Sequence, residues 1–88
     1  MKANFKNISV EVAFDEFQEL DIAKQLGNFI HANTPDIGLD DVAREIYHSE
    51  GEMEISGQHA ADIVAMVSSN QCMFLAAVKK AIVKQLTQ

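Results

Sequence analysis

A chain of 88 residues with 48% apolar side chains is long enough for one domain with a modest core, and too apolar to stay disordered. Its net charge of −6, from 13 acids against 7 Lys and Arg, works against binding a nucleic-acid backbone, which wants clustered cations. No run approaches 18 apolar residues, the start has no apolar h-region, and the single cysteine allows neither an intrachain disulfide nor a cysteine-based zinc site; the expectation is a soluble protein of a reducing cytoplasm with no membrane contact.

The first periodic segment, residues 7–14, places Ile8, Val10, Val12 and Phe14 on one side and Ser9, Glu11 and Ala13 on the other. Period two with β-branched residues predicts a half-buried strand. Asp15 followed three residues later by Gln18 resembles a capping box, which predicts a helix over about 16–32 carrying Ile22, Ala23, Leu26, Phe29 and Ile30 on one face. Gly27 interrupts that helix and points to close packing of another element. Asn33-Thr34-Pro35 ends it, because the residue before proline avoids helical angles.

The second helix, about 38–49, has the clearest stripe: Leu39, Val42, Ala43, Ile46 and Tyr47, with Asp40, Asp41, Arg44 and Glu45 outside it. Gly51 reads as its stop. Residues 52–55 alternate again and predict a short strand pairing with the first. Ser56 can cap a third helix, 57–68, with Ala60, Ile63, Val64 and Val67 inward. Ser68-Ser69-Asn70 predicts a break, and a fourth helix follows over about 71–86, with late lysines suited to the dipole. The expected fold is therefore α+β: one small two-layer domain spanning 1–88, in the order β-α-α-β-α-α, its two short strands packed against four helices.

Reactive constellations are sparse. His31, His48 and His59 show no metal-binding spacing, and His31 and His48 fall in last helical turns, where an imidazolium meets the negative dipole end. Asp15-Glu16, Asp40-Asp41 and Glu50, Glu52, Glu54 sit in polar stretches, whereas general acid–base work needs carboxyls in unlike environments. No calcium loop, phosphate loop, nucleophile elbow or Cys-x-x-Cys occurs, and Cys72 lies in an apolar run as a small buried hydrophobe. Neither catalytic residues nor a cofactor or metal is expected. The one enzyme-like option is a dispersed site pairing His31 or His48 with Asp36, Asp40 or Asp41. Met53, Met66 and Met73 read as core filling, and Phe5 and Phe17 as the aromatics free to be exposed anchors.

Leu39-Asp40-Asp41-Val42-Ala43-Arg44-Glu45 resembles the first helix of the helix-turn-helix in LacI-type repressors. The resemblance covers about seven residues and implies a DNA-binding function. The chain then departs from that pattern with Ile46-Tyr47-His48-Ser49-Glu50-Gly51-Glu52, where a recognition helix would begin among glutamates facing a polyanion.

The expected function is a non-enzymatic module that binds protein, either a second copy of itself as a homodimer or another partner; small acidic chains of this kind are typical of phages and mobile elements. The broad apolar circumference of the fourth helix, through Met73, Phe74, Ala77, Val78, Ala81 and Ile82, is the expected interface. The alternative is an acidic antagonist occupying the basic groove of a nucleic-acid-handling protein.

Overall fold

The computed structural model describes residues 1–87. Its strands are β1 (Lys2–Ala3), β2 (Ile8–Ala13), β3 (Glu16–Leu20) and β4 (Met53–Glu54). Its helices are α1 (Ala23–Asn33), α2 (Ile37–His48), α3 (Gly57–Ser68) and α4 (Ala76–Leu86). By blocks this is the α+β order β-α-α-β-α-α, with the first block built from three strands.

The strand pairing differs from the expected one. β1 pairs with β4, antiparallel, with Lys2 opposite Glu54 and Ala3 opposite Met53. β2 pairs instead with β3, from Ile8 opposite Leu20 to Ala13 opposite Glu16, with an irregularity between Glu11 and Ala13. Phe14 and Asp15 form the two-residue turn between them. Asp15 sits at φ 64°, a left-handed conformation that Asp tolerates better than most residues. Its backbone N–H donates to Glu11 Oε2 at 2.9 Å. The residue expected to cap a helix thus turns a hairpin, and Gln18 lies in β3.

α1 begins only at Ala23, whose N–H donates to Asp21 Oδ1 at 3.2 Å. Lys6 Nζ lies 3.1 Å from the other Asp21 carboxylate oxygen, and Ile22 N–H donates to the Phe5 carbonyl at 2.9 Å. These bonds tie the base of the hairpin to the start of α1. The Lys6 ammonium first, and the Ala23 amide second, hold the Asp21 carboxyl below its ordinary pKa.

α1 and α2 form an antiparallel pair joined by the turn at Thr34-Pro35. Asp36 caps α2 by accepting from Gly38 N–H at 3.0 Å. As its sequence position suggested, Gly27 marks a close approach: a Cβ there would lie 2.8 Å from the Ala43 carbonyl oxygen and 2.9 Å from Tyr47 Cβ. α2 ends on Ser49, whose hydroxyl donates to the Ile46 carbonyl at 2.7 Å; Gly51 has no positive φ and plays no capping part. The chain next enters β4, so no recognition helix follows α2 in helix-turn-helix fashion.

Ser56 caps α3 by accepting from His59 N–H at 3.2 Å, and α3 spans the predicted residues. α4 starts five residues later than expected. Residues 71–75 form a loop in which Cys72 turns inward, its N–H donating to the Ser69 carbonyl at 3.1 Å, and Lys79 Nζ donates to the same carbonyl at 3.1 Å.

One contiguous core results. Phe5, Ile8, Leu26, Ile30, Ile46, Ile55, Ile63 and Ile82 are fully buried in it, Cys72 lies at its edge, and among the described residues no polar or charged side chain is buried. Phe5 is therefore a core residue and not a free aromatic, because the β1–β2 connection folds it under the start of α1. α4 packs across β2 and against α3, and α1 against α2. The two-stranded hairpin, marginal alone, is held by α4 on one face.

Candidate functional site

The alternation in β2 operates only as far as Val10. Ile8 and Val10 are buried, but Val12 is 46% exposed and Phe14 94% exposed. The irregularity after Glu11 bends the strand away from the core, as bulges do. Phe14 then belongs to the turn, where strand periodicity no longer directs it. On β3, Phe17 is 61% exposed. The hairpin thus carries a buried base and an apolar tip standing in water.

Between that tip and α4 lies a groove of about 750 Å³. One wall is Val12, Phe14 and Phe17 with Glu11; the other is Ala76, Ala77, Lys80 and Lys84 on α4, and Ile8 and Ala81 lie deeper. The small side chains of α4 leave the space that larger ones would fill. Lys80 and Lys84 face the groove with long apolar stems ending in charge. Opposite them the hairpin bears Glu11, and its β3 strand carries exposed Glu16 and Glu19. The two walls therefore differ in charge.

The six residues expected to form an interface do not share one face. Ala77 and Ala81 line the groove. Ile82 is fully buried in the core and Ala81 nearly so, because α4 turns that side onto β2 and α3. Phe74 packs on Phe29 with ring centroids 5.4 Å apart, and Val78 is half-buried against the core. Met73 is exposed, but in the loop before α4. Phe17, singled out as a free aromatic, stands in the groove wall. Val12 and Phe14, which the alternation places on the same side as Ile8 and Val10, are the groove residues that sequence reasoning misses; the only signal for them is the Phe14-Asp15 pair as a turn.

A second, polar cleft of about 200 Å³ runs between α1 and α2, lined by Asn28, His31, Asp40, Arg44, Tyr47 and His48. Of the dispersed histidine–carboxylate pairs, the fold brings together one: His31 Nδ1 and Asp40 Oδ1 lie 2.5 Å apart, with His31 largely exposed. Asp36 is occupied as the α2 cap, and His48 packs edge-on against Tyr47, ring centroids 5.0 Å apart. Among the described residues no group of three His, Cys, Asp or Glu is placed to hold a metal ion, and no helix is long and apolar enough to cross a membrane. Comparison of the chain with protein-family models, curated proteins and solved structures gives no match.

Proposed function

We propose that this chain is a non-enzymatic interaction module that associates with a second copy of itself through the groove between the β2–β3 hairpin and α4. The observation that carries this reading is the exposure of Val12, Phe14 and Phe17 together along one unfilled groove, whereas the other exposed large apolar side chains, Ile37, Met73 and Leu75, line no such concavity. Surface hydrophobes scattered singly need no explanation, whereas a contiguous patch beside a concavity marks an interaction site.

A second copy suits this face better than an unlike partner, because the face is complementary to itself. A two-fold contact brings one patch against the same patch and so needs both a projection and a recess, and both charge signs, on one surface. The hairpin tip supplies the projection and the groove the recess; Lys80 and Lys84 on α4 match Glu11, Glu16 and Glu19 on the hairpin of the other copy. Aromatic side chains bury roughly 150–250 Å² each, so the four Phe rings of a pair, 94% and 61% exposed in each copy, supply on the order of 450–800 Å². The lysine stems and the alanine floor extend this toward the total of about 1,000 Å² or more that a specific interface needs.

Sedimentation velocity at high micromolar concentration tests the reading. The expected species has twice the 9.7 kDa chain mass, and Phe14→Asp returns it to the monomer without lowering the urea midpoint measured at dilutions where the wild type is itself monomeric. A wild-type monomer under those conditions overturns self-association, and a dimer indifferent to Phe14→Asp places the contact elsewhere.

A further inference from the structure

Lys24 and Arg44 are the only Lys or Arg between residues 7 and 78, a stretch holding all 13 acids, and the packing of α1 on α2 places both near Tyr47. Arg44 lines the polar cleft beside Tyr47, and Lys24 Nζ reaches over the Tyr47 ring, 5.7 Å from its centroid. Surrounded in sequence by carboxylates, both would be expected to be neutralised. Instead, the four ion pairs among the described residues use Met1, Lys2, Lys6 and His31. The Arg44 guanidinium and the side chains of Asn28 and His48 hydrogen-bond to no described residue. The one carboxylate lining the cleft, Asp40, is engaged by His31.

We propose that the α1–α2 cleft is a binding site for a small phosphate-bearing anion, with Arg44 as the anchor and Asn28 and His48 around it. A guanidinium offers five donors in a fixed fork that matches phosphate oxygens two at a time. Asn28 adds an amide donor, and His48 a ring nitrogen. The small volume suits a phosphoryl group and little more than a short attached chain, and the Tyr47 ring forms an apolar wall for that chain. The net charge of −6 repels anions in general, so saturable binding here reports local donors and not the overall field. This inference is independent of the groove between the hairpin and α4, which shares no lining residue with the cleft.

The test is a two-dimensional amide NMR titration of the full chain with inorganic phosphate, matched in ionic strength by chloride. The expected result is saturable shifts confined to Gly27, Asn28, Arg44 and Tyr47. Arg44→Gln should weaken binding at least about tenfold, the loss of one charge-assisted pair, while its remaining amide spectrum stays that of the wild type. A second titration with glycerol phosphate reads the contribution of the attached chain: saturation at lower concentration than with phosphate supports the Tyr47 wall. Equal shifts with chloride, shifts elsewhere, or phosphate binding unchanged in Arg44→Gln would overturn the proposal. Should Arg44→Gln alter the whole spectrum, Arg44→Lys provides the same reading, since it keeps the charge and loses the fork.

Discussion

Where α1 meets α2, a small residue closes the contact: Gly27 lets the backbones approach until nothing larger fits beside the Ala43 carbonyl. Where the β2–β3 hairpin meets α4, small residues leave the contact open, and Ala76, Ala77 and Ala81 line a groove of about 750 Å³. The difference lies in what the backbone is free to do. Two helices joined by a short turn can slide together until they touch. The hairpin is tied at its base through Phe5, Lys6 and Asp21 and bends away beyond Glu11, so its tip cannot follow the alanines inward. Small side chains therefore give close packing in one place and an unfilled surface in the other, and only the second retains apolar area for an association.

Four substitutions sharpen or break that contrast. The largest effect belongs to neither contact but to the core that both enclose. Phe5→Ala should cost about 3–5 kcal/mol in urea unfolding, enough to leave a domain of this size largely unfolded; a loss below about 1 kcal/mol would mean the residue is not enclosed. Gly27→Ala comes next. Alanine gains about 1 kcal/mol in helix propensity, but a methyl group against a backbone carbonyl costs roughly 1–3 kcal/mol. The expected outcome is a net loss of up to about 2 kcal/mol, and a gain would show that the helices can separate. Phe17→Ser on the open contact should stay within about 0.5 kcal/mol in the monomer and show its effect only in the association constant. A large loss in the monomer would mean that the groove is already closed.

The smallest effect concerns the hairpin's tether. Asp21 has a folded pKa below its ordinary value because the Lys6 ammonium and the Ala23 amide favour the carboxylate. A depressed folded pKa means that the tether contributes fully above the unfolded carboxyl pKa and is lost as pH falls through the folded one. Lys6→Gln should move the Asp21 carbon resonance titration upward, toward the ordinary carboxyl range. No movement would assign the shift to the Ala23 amide and the nearby Lys24 charge.

Much of the helical half was legible in the residues. Ser56 and the spacing of Ala60, Ile63 and Val67 determine α3 locally, and the stripe from Leu39 to Tyr47 determines α2 to within a residue at each end. The β half was not, for reasons visible at particular positions. Asp15 and Gln18 satisfy the pattern of a helix cap, yet Asp15 also tolerates a left-handed turn, and pairing with β2 decides between the two. Glu16–Leu20 shows no apolar alternation because neither of its faces is deeply buried. β1 is two residues long and exists only through its partner β4, 50 residues away. The groove inherits the same difficulty: its α4 wall could be anticipated from Ala77 and Ala81, but its aromatic wall depends on a bend that alternation conceals.

Cys72, turned inward by the loop before α4, is the chain's single thiol and is buried. Its sulfur can meet a soluble disulfide reagent only when residues 69–75 lift from the body, so at reagent concentrations high enough to capture every opening the labelling rate should follow the opening frequency of that segment and not the intrinsic speed of the thiol. The protein thus carries a built-in clock for one stretch of its surface, which can be read without adding a label anywhere else.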